Sequence, residues 1–268
     1  MKKALFVFLF LLVILAGLSW TAARPEESKA KIELIFFDVG QGDSIYLEID
    51  KNFQVLIDGG PDDAVLEKLG KEMPFYDKDI EMIVLTHPDS DHLFGLLEVL
   101  RNYNVKNVLW TGAEKETGDF LEWKKLIKEE KANIFLARPG QKIIFPEDIY
   151  FEIIRAGKDE KEINDTSIVG FLKAKDAILL LAGDISQKIE KQLAQDFDLK
   201  ADILKIAHHG SKTSSCPEFI EEVSPSEAVI SVGDNKWGHP AEEILQMLEN
   251  LGINVLITKN LGDIKYNF

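Results

Sequence analysis

The stretch THPDSDH, residues 86–92, concentrates side chains that bind metal ions. His87, Asp89, Asp91 and His92 lie within six positions, directly after the apolar run EMIVL. Imidazole and carboxylate together suit a divalent zinc, manganese or iron ion. His87 and Asp89 share one face of an extended segment, and the other two ligands follow the turn and can face a second ion. A turn that merely caps the following helix would explain the aspartates but does not require both histidines.

The other histidines also lie near the ends of predicted strands. The chain has five histidines, and His208, His209 and His239 complete the set. Each of the five follows a predicted strand or lies in the loop beyond it, as does Asp184 in the run AILLLAGD. Loops at strand ends are where a rigid scaffold presents ligands. The pattern therefore predicts a metal centre rather than separate core histidines.

Two series of strands and helices are predicted to position these residues. The first holds the short β-branched and aromatic runs IELIFFDV, DSIYLEI and FQVLID, then the strand EMIVLTH and the amphipathic helix LFGLLEVLRNY. The second starts near residue 143 with IYFEII, TSIVGFLKA and AILLLAGD and continues in strand–helix alternation. This order favours one α/β domain over residues 31–268, with sheets covered by helices.

The N-terminus has the composition of an export segment. Residues 1–23 begin with two lysines, continue without a charge to residue 20 and end in TAA, which predicts a signal peptide or an N-terminal membrane anchor. Residues 24–30 then form a polar linker. We expect the protein to be secreted or anchored to the outer face of the cytoplasmic membrane.

Charge and cysteine content limit the partners. The formal net charge of the 268-residue chain is −15, so no tight non-specific binding to nucleic acid is expected. A phosphate-bearing substrate would need local positive charge, which bound metal ions could supply. The single cysteine, Cys216, excludes an internal disulfide and is given no role.

The motif resembles the signature loop of the metallo-β-lactamase superfamily, with Asp89 where most members have a second histidine. That variant is similar to the hydrolase domain of the ComEC family, which acts in DNA uptake by competent bacteria. FDVGQGDS at 37–44, LAGDI at 181–185 and LKIAHHGSKTS at 204–214 agree with it, as do VLIDGG at 55–60 and VGDNKWGHP at 232–240. The resemblance implies an α/β fold, a four-layer αβ/βα sandwich.

The resemblance also implies a site with two divalent ions, zinc or manganese. The implied ligands are His87, Asp89, Asp91, His92, Asp184 and either His208 or His209. The first two would bind one ion, the next two the other, and Asp184 would bridge them, acting with Asp91 in catalysis. The superfamily usually has a further histidine in the interval 93–207, where this chain has none. Asn164, Asp165 or water would stand in, and oxygen ligands shift the preference toward manganese.

Other polar residues have two interpretations each. Lys205, Ser211 and Lys212 flank the histidine pair and His239 follows Lys236; they could hold a substrate phosphate, or be solvated surface and capping residues. Asp43 and Ser44 could support a ligand or belong to a plain hairpin turn. Asp58 could orient a ligating histidine or merely make the turn.

The resulting hypothesis is a metal-dependent hydrolase, a phosphodiesterase or nuclease in which a water between two ions attacks a small phosphoester or DNA. The alternatives are hydrolysis of another extracellular substrate, such as a phosphocholine ester or a lactam, and a non-catalytic, metal-stabilised module of a DNA-uptake assembly.

Overall fold

The computed structural model describes residues 30–268. Its first sheet has seven strands in the spatial order β16-β1-β2-β3-β5-β7-β8. These strands are β1 Ile32–Phe36, β2 Ile45–Ile49, β3 Phe53–Ile57, β5 Met82–Leu85, β7 Asn107–Trp110, β8 Asn133–Leu136 and β16 Ile264–Asn267. Three helices cover one face: α1 Ala64–Glu72, α2 Ser90–Asn102 and α3 Gly118–Glu130. A two-stranded sheet joins β4 Asp79–Ile80 to β6 Asn104–Val105.

The second sheet also has seven strands, in the order β15-β14-β13-β12-β11-β10-β9. They are β9 Lys142–Ile144, β10 Tyr150–Ala156, β11 Ile168–Ala174, β12 Ala177–Leu181, β13 Ile203–Lys205, β14 Glu227–Ile230 and β15 Asn254–Ile257. The helices of this half are α4 Gln187–Asp196, α5 Pro217–Val223, α6 Glu242–Asn250 and α7 Thr258–Leu261, and 3₁₀ turns occupy Pro146–Asp148, Ile163–Thr166 and Ala207–Gly210.

The sheets and helices form four layers, with an apolar core between each pair of adjacent layers. The central apolar layer lies between the sheets and contains residues of both, such as Leu47 of the first and Leu179 of the second. Outer layers lie between each sheet and its helices, around Trp123 on one side and Phe219 on the other. Central strands such as β5 are buried on both faces, which explains their unbroken apolar sequences. The predicted αβ/βα sandwich is confirmed.

The parallel strands bring their carboxyl ends to one edge of each sheet. β3, β5 and β7 run parallel to one another in the first sheet, and β12, β13 and β14 do so in the second. A backbone hydrogen bond of 3.1 Å from Ile168 N to Thr86 O joins the first sheet's edge to the start of β11. Residues that follow these strands therefore meet between the two halves.

The predicted signal peptide or anchor, residues 1–23, and most of the linker at 24–30 lie outside the described residues. Over residues 30–268, none of the helices has the length and apolar character needed to cross a membrane. Residues Lys31–Phe268 form one compact unit.

Candidate metal centre

Strand β5 and helix α2 position the first half of the site. The helix begins at Ser90, so His87 precedes it and His92 lies in its first turn. The centroids of these two imidazole rings are 4.2 Å apart, and both side chains are fully buried. Asp89 occupies the N-cap position but makes no capping hydrogen bond with its side chain. A capping role alone therefore does not account for the motif.

The second sheet supplies the other half of the site. Asp184 follows β12, and its Oδ2 lies 3.3 Å from both His92 Nε2 and His209 Nε2. His209 follows β13, and its Nε2 lies 3.4 Å from Asp91 Oδ2. Donor atoms of His87, His92 and Asp184 lie within 4.8 Å of one another, as do those of Asp91, His92 and His209. Five residues from three separate segments thus converge on one point.

Several atoms of this cluster are buried without a hydrogen-bond partner among residues 30–268. They are the Nε2 atoms of His87, His92 and His209, and Oδ1 of Asp184. A buried polar atom without a partner costs free energy, of the order of 1–3 kcal/mol. Nitrogen and carboxylate donors that face one another in this way are the arrangement that a divalent cation satisfies. The residues fit a bound divalent metal ion.

The electrostatics of the cluster also call for a cation. Burial alone would lower the pKa of His92, but Asp184 and Asp58 raise it well above the usual 6.5. The same balance of burial against Asp184 raises the pKa of His209. The pKa of His87 is lowered by burial and by His92, which favours the neutral imidazole that ligates metals. The protons on His92 and His209 neutralise the same carboxylates that a metal ion would bind. Metal binding would therefore release protons.

Asp58 orients His92 and also makes the turn after β3. Its Oδ2 lies 2.8 Å from His92 Nδ1 and accepts a hydrogen bond of 2.6 Å from Thr86 Oγ1, and its Oδ1 accepts one of 2.8 Å from Thr86 N. A carboxylate only accepts, so Nδ1 carries a proton, and in the neutral imidazole Nε2 is left free toward Asp184. The φ of Asp58 is 58°. Asp58 therefore both orients a candidate ligating histidine and makes the turn.

Asp43 and Lys205 form a buried pair behind His209. Lys205 Nζ lies 2.6 Å from Asp43 Oδ2 and donates 3.0 Å to Ile206 O. Asp43 Oδ1 lies 3.5 Å from His209 Nδ1, which is 2.8 Å from Ser231 O. Lys205 is the last residue of β13 and is buried, so it supports the histidine from behind and does not reach a substrate. The expectation that it holds a phosphate is not supported by this position.

Asp89 lies apart from the cluster. Its Oδ1 accepts a hydrogen bond from Lys115 Nζ, and its Oδ2 is 3.8 Å from His87 Nε2. Lys115 belongs to the loop after β7, the parallel neighbour of β5. The structure thus brings a lysine from the adjacent strand end to the aspartate that replaces a histidine of the superfamily. Its place in a loop after a predicted strand is the one signal that could have singled out this lysine.

His208, Asn164 and Asp165 lie at the rim of the cluster or behind it. His208 Nε2 is 3.3 Å from Asn164 Nδ2, and neither residue joins a group of metal-binding side chains within the described chain. Asp165 Oδ1 accepts a hydrogen bond of 2.9 Å from Ser186 N, which holds the turn before α4. Of the two adjacent histidines, His209 is the one inside the cluster. Of the two candidates for the missing histidine, Asn164 contacts a histidine of the cavity wall and Asp165 does not.

A cavity of about 520 Å³ opens over the cluster. Its walls include side chains that were expected from the sequence, Asp89, Asp91, His208, His209 and His239, and others that were not, Gln41, Lys115, Asp234 and Trp237. Ser211 is buried and bonded to Thr213, and Lys212 is exposed; neither lines this cavity. Contact with substrate therefore remains a prediction for His239. The positions of Ser211 and Lys212 do not support such a contact.

Close backbone contact fixes the cluster. A Cβ atom on Gly95 of α2 would overlap the carbonyl group of Gly59, which follows Asp58. Gly59 N in turn donates to His92 O at 2.8 Å. Helix α2 therefore packs directly on the turn that carries Asp58, and only glycine permits that approach.

The fold and the site together define a class of protein. The chain belongs to the metallo-beta-lactamase superfamily, whose sequence profile matches residues 37–234. This superfamily consists generally of metal-dependent hydrolases, and the His and Asp cluster is its candidate metal site in this chain.

Among curated proteins, the chain is similar to competence proteins. It is 31% identical over 265 residues to ComE operon protein 3 of Bacillus subtilis, covering 90% of this chain and 33% of that protein. It is 28% identical over 263 residues to Competence protein ComA of Neisseria gonorrhoeae, covering 95% of this chain and 35% of that protein. The chain thus spans about a third of the length of these relatives. The ComEC-like resemblance is confirmed.

Solved structures support the fold. The metallo-beta-lactamase fold protein YhfI from Bacillus subtilis has a TM-score of 0.63 at 12% identity, covering 90% of this chain and 100% of that one. The short form of human tRNase Z has a TM-score of 0.53 at 12% identity, covering 87% and 98%. At these identities the likeness concerns the fold alone.

Proposed function

We propose that this chain is a metal-dependent phosphodiesterase that acts on DNA or a related phosphodiester. The observation that carries the proposal is the convergence of His87, His92, His209 and Asp184, whose donor atoms face one another without hydrogen-bond partners in the described chain. The similarity to competence proteins supports a DNA substrate. A divalent ion held there supplies a Lewis acid that activates water and polarises a phosphoryl oxygen.

The chain's own residues would hold and orient the reactants. His92, His209, Asp91 and Asp184 would bind the ion, with Asp184 between the two imidazoles. Asp58 and the pair of Asp43 and Lys205 would keep the two imidazoles in place from behind, as second-sphere partners do in metal sites. This division of roles predicts that the buried lysine affects metal binding rather than substrate affinity.

The cavity walls would bind the substrate. Lys115, His208 and His239 place cationic or hydrogen-bonding groups around the opening, and Trp237 adds an aromatic ring that is 62% exposed. Exposed aromatic rings beside a phosphate site provide stacking surfaces for nucleobases. Because the chain is strongly acidic overall, this local arrangement would bind DNA weakly and depend on the metal.

The proposal is tested by reloading the metal-stripped chain with zinc or manganese and assaying bis(p-nitrophenyl) phosphate and single-stranded DNA. Asp184→Ala should abolish both activities and leave the chain folded by circular dichroism. Asp196→Ala, on the exposed face of α4, is the control and should retain both. Metal-dependent cleavage that survives Asp184→Ala would contradict the proposal.

The pattern of substrates separates the remaining alternatives. Cleavage of the small diester without cleavage of DNA would indicate another phosphoester, such as a phosphocholine ester. Cleavage of a lactam alone would indicate an acyl substrate. Bound metal without hydrolysis of any of these would favour the non-catalytic module.

We also propose that the chain acts outside the cytoplasm, because its N-terminal sequence has the composition of an export signal. Fusion of residues 1–30 to an alkaline phosphatase that is active only after export tests this location. An inactive fusion would contradict it.

A further inference from the structure

The two sets of metal ligands implied for this superfamily are unequal in this chain. The set around Asp91, His92 and His209 is complete, and Asp184 adds a second carboxylate to it. The set around His87 is not. Its next implied member, Asp89, belongs to no group of converging donors among residues 30–268.

Lys115 competes with a metal ion for Asp89, since it holds Oδ1 while Oδ2 lies 3.8 Å from His87 Nε2. The ammonium group of Lys115 donates to Asp89 Oδ1, and the two side chains are only 32% and 22% exposed. A lysine ammonium group has three N–H donors and no lone pair, so it cannot itself ligate a metal ion. Its positive charge nevertheless neutralises the Asp89 carboxylate, as the positive charge of a metal ion would.

The candidates for the missing histidine are engaged elsewhere. The side-chain amide of Asn164 lies against His208 Nε2 at 3.3 Å, and Asp165 Oδ1 accepts a hydrogen bond from Ser186 N. Neither residue joins a group of converging donors among residues 30–268. On the side of the first ion, His87 converges with Asp184 and with His92, which the other set also needs, and Asp89 Oδ2 lies 3.8 Å from His87 Nε2. Because Lys115 holds the other oxygen of Asp89, these donors are too few for a tight divalent site.

The fold holds Lys115 in place. β5 and β7 are parallel neighbours, and their carboxyl ends carry Asp89 and Lys115 respectively. Gly112, with φ 79°, turns the chain after β7 so that the loop returns toward the cavity. Lys115 lines that cavity beside Asp91 and His209.

We propose that Lys115 replaces the first metal ion of the superfamily's pair. The chain then holds one divalent ion tightly, at Asp91, His92, Asp184 and His209, and the Lys115 ammonium group neutralises Asp89 and has further N–H donors for the cavity wall. The metal count in this inference is independent of the proposed activity. Only the role of the ammonium group toward a substrate phosphate rests on the proposed function.

The first test counts metal ions on the full chain by elemental analysis and by calorimetric titration with Mn²⁺. The wild-type chain should bind about one ion tightly, and Lys115→Met should bind about two, because Asp89 is freed to ligate. Lys115→Arg keeps the charge and should bind about one, as should the control Lys158→Met, which removes an exposed lysine beside Gly112.

Electron paramagnetic resonance of the manganese-loaded proteins gives a second readout. Two ions that share Asp184 should give an exchange-coupled spectrum in Lys115→Met, and a single ion should give an uncoupled one in the wild-type chain. Two tightly bound ions in the wild-type chain, or one in a folded Lys115→Met variant, would overturn the inference. A loss of more than about tenfold in affinity for the tightly bound ion in Asp89→Asn would also overturn the inference.

The role of the ammonium group is tested with inorganic phosphate. The double variant Lys115→Met with Asp89→Asn removes both the ammonium group and the freed carboxylate, so that no second ion can compensate. Its manganese-loaded form should bind phosphate about tenfold more weakly than the wild-type chain, since the charged N–H donors of Lys115 are lost while the net charge of the wall is unchanged. Unchanged phosphate affinity would refute this role.

These outcomes separate the two proposals. A wild-type chain with two tight ions and metal-dependent diester cleavage would refute the inference about Lys115 and leave the proposed function in place. One tight ion without cleavage would support the inference and refute the function.

Discussion

The hydrogen bond between Asp58 and His92 leads to a sharp prediction for Asp58→Asn. The carboxylate accepts three hydrogen bonds, from Thr86 N, Thr86 Oγ1 and His92 Nδ1. Asparagine has one acceptor oxygen, which can keep the bond to Thr86 N. Its amide nitrogen would then face His92 Nδ1 as a donor, and the imidazole would have to move its proton to Nε2 to accept that bond. A protonated Nε2 cannot ligate a metal ion.

The expected magnitude follows from the loss of this one partner. Removing a carboxylate behind a ligating histidine costs about 10- to 100-fold in metal affinity, which corresponds to about 1.4–2.8 kcal/mol. We expect the affinity of the chain for zinc and for manganese to fall by this factor in Asp58→Asn. Asp196→Asn makes the same chemical change on the exposed face of α4 and should leave the affinity unchanged.

The assay is competition of each metal-free protein with a chromophoric chelator for zinc. Nitrogen-15 spectra of the labelled imidazoles in the presence of zinc report the tautomer directly, with the Nδ1–H form expected for His92 in the wild-type chain and the Nε2–H form in the variant. Wild-type metal affinity in a variant that has switched tautomer would refute the reasoning, because the proton position would then not control ligation. A variant that keeps the Nδ1–H tautomer and full affinity would show that Asp58 serves only the turn.

Three further predictions concern binding, packing and pH. Trp237→Ala should lower kcat/KM for single-stranded DNA about 5- to 150-fold, the equivalent of about 1–3 kcal/mol of base stacking, and leave cleavage of bis(p-nitrophenyl) phosphate unchanged; Phe197→Ala, exposed elsewhere, is the control. Gly95→Ala should lower the free energy of unfolding in urea by about 1–3 kcal/mol, because its Cβ would overlap a backbone carbonyl, whereas Gly118→Ala, with open space around it, should not. Burial raises the pKa of Glu190 from 4.5 to about 7, so the folded chain binds this proton more tightly than the unfolded chain. The stability that the proton contributes is present below pH 4.5 and is lost as the pH rises through about 7, by about 3 kcal/mol; urea unfolding near pH 5 and near pH 8 should show this loss in the wild-type chain and not in Glu190→Gln.

Local patterns in the sequence were enough to predict most elements of the fold. The runs around β5 and β12 are continuously apolar because helices or the opposite sheet cover both faces of those strands. The amphipathic pattern around α2 follows the same logic on one face of a helix. The strand Ile264–Asn267 was not predicted, since its pairing with β1 joins residues more than two hundred positions apart.

The candidate ligands could be predicted because their residue types are rare and their positions are systematic. Each lies just beyond a predicted strand, and parallel strands gather their carboxyl ends at one edge of a sheet. The choice between His208 and His209 could not be made from the sequence. It depends on two successive residues with φ of 52° and 56°, which turn one imidazole inward and leave the other at the cavity wall.

The two lysines show why sequence proximity was a poor guide to the cavity. Lys205 lies four positions before His209, and its sequence context left open a phosphate contact or a solvated surface position. It instead ends a buried strand, and its ammonium group contacts Asp43 behind the site. Lys115 lies 26 positions from Asp89, yet it reaches that carboxylate because two parallel strands are neighbours in the sheet. A lysine on the strand itself is positioned to support a ligand, whereas one in the loop after a strand can enter the cavity. The order of strands therefore decides which positive charge lies in the cavity, and local sequence patterns do not determine that order.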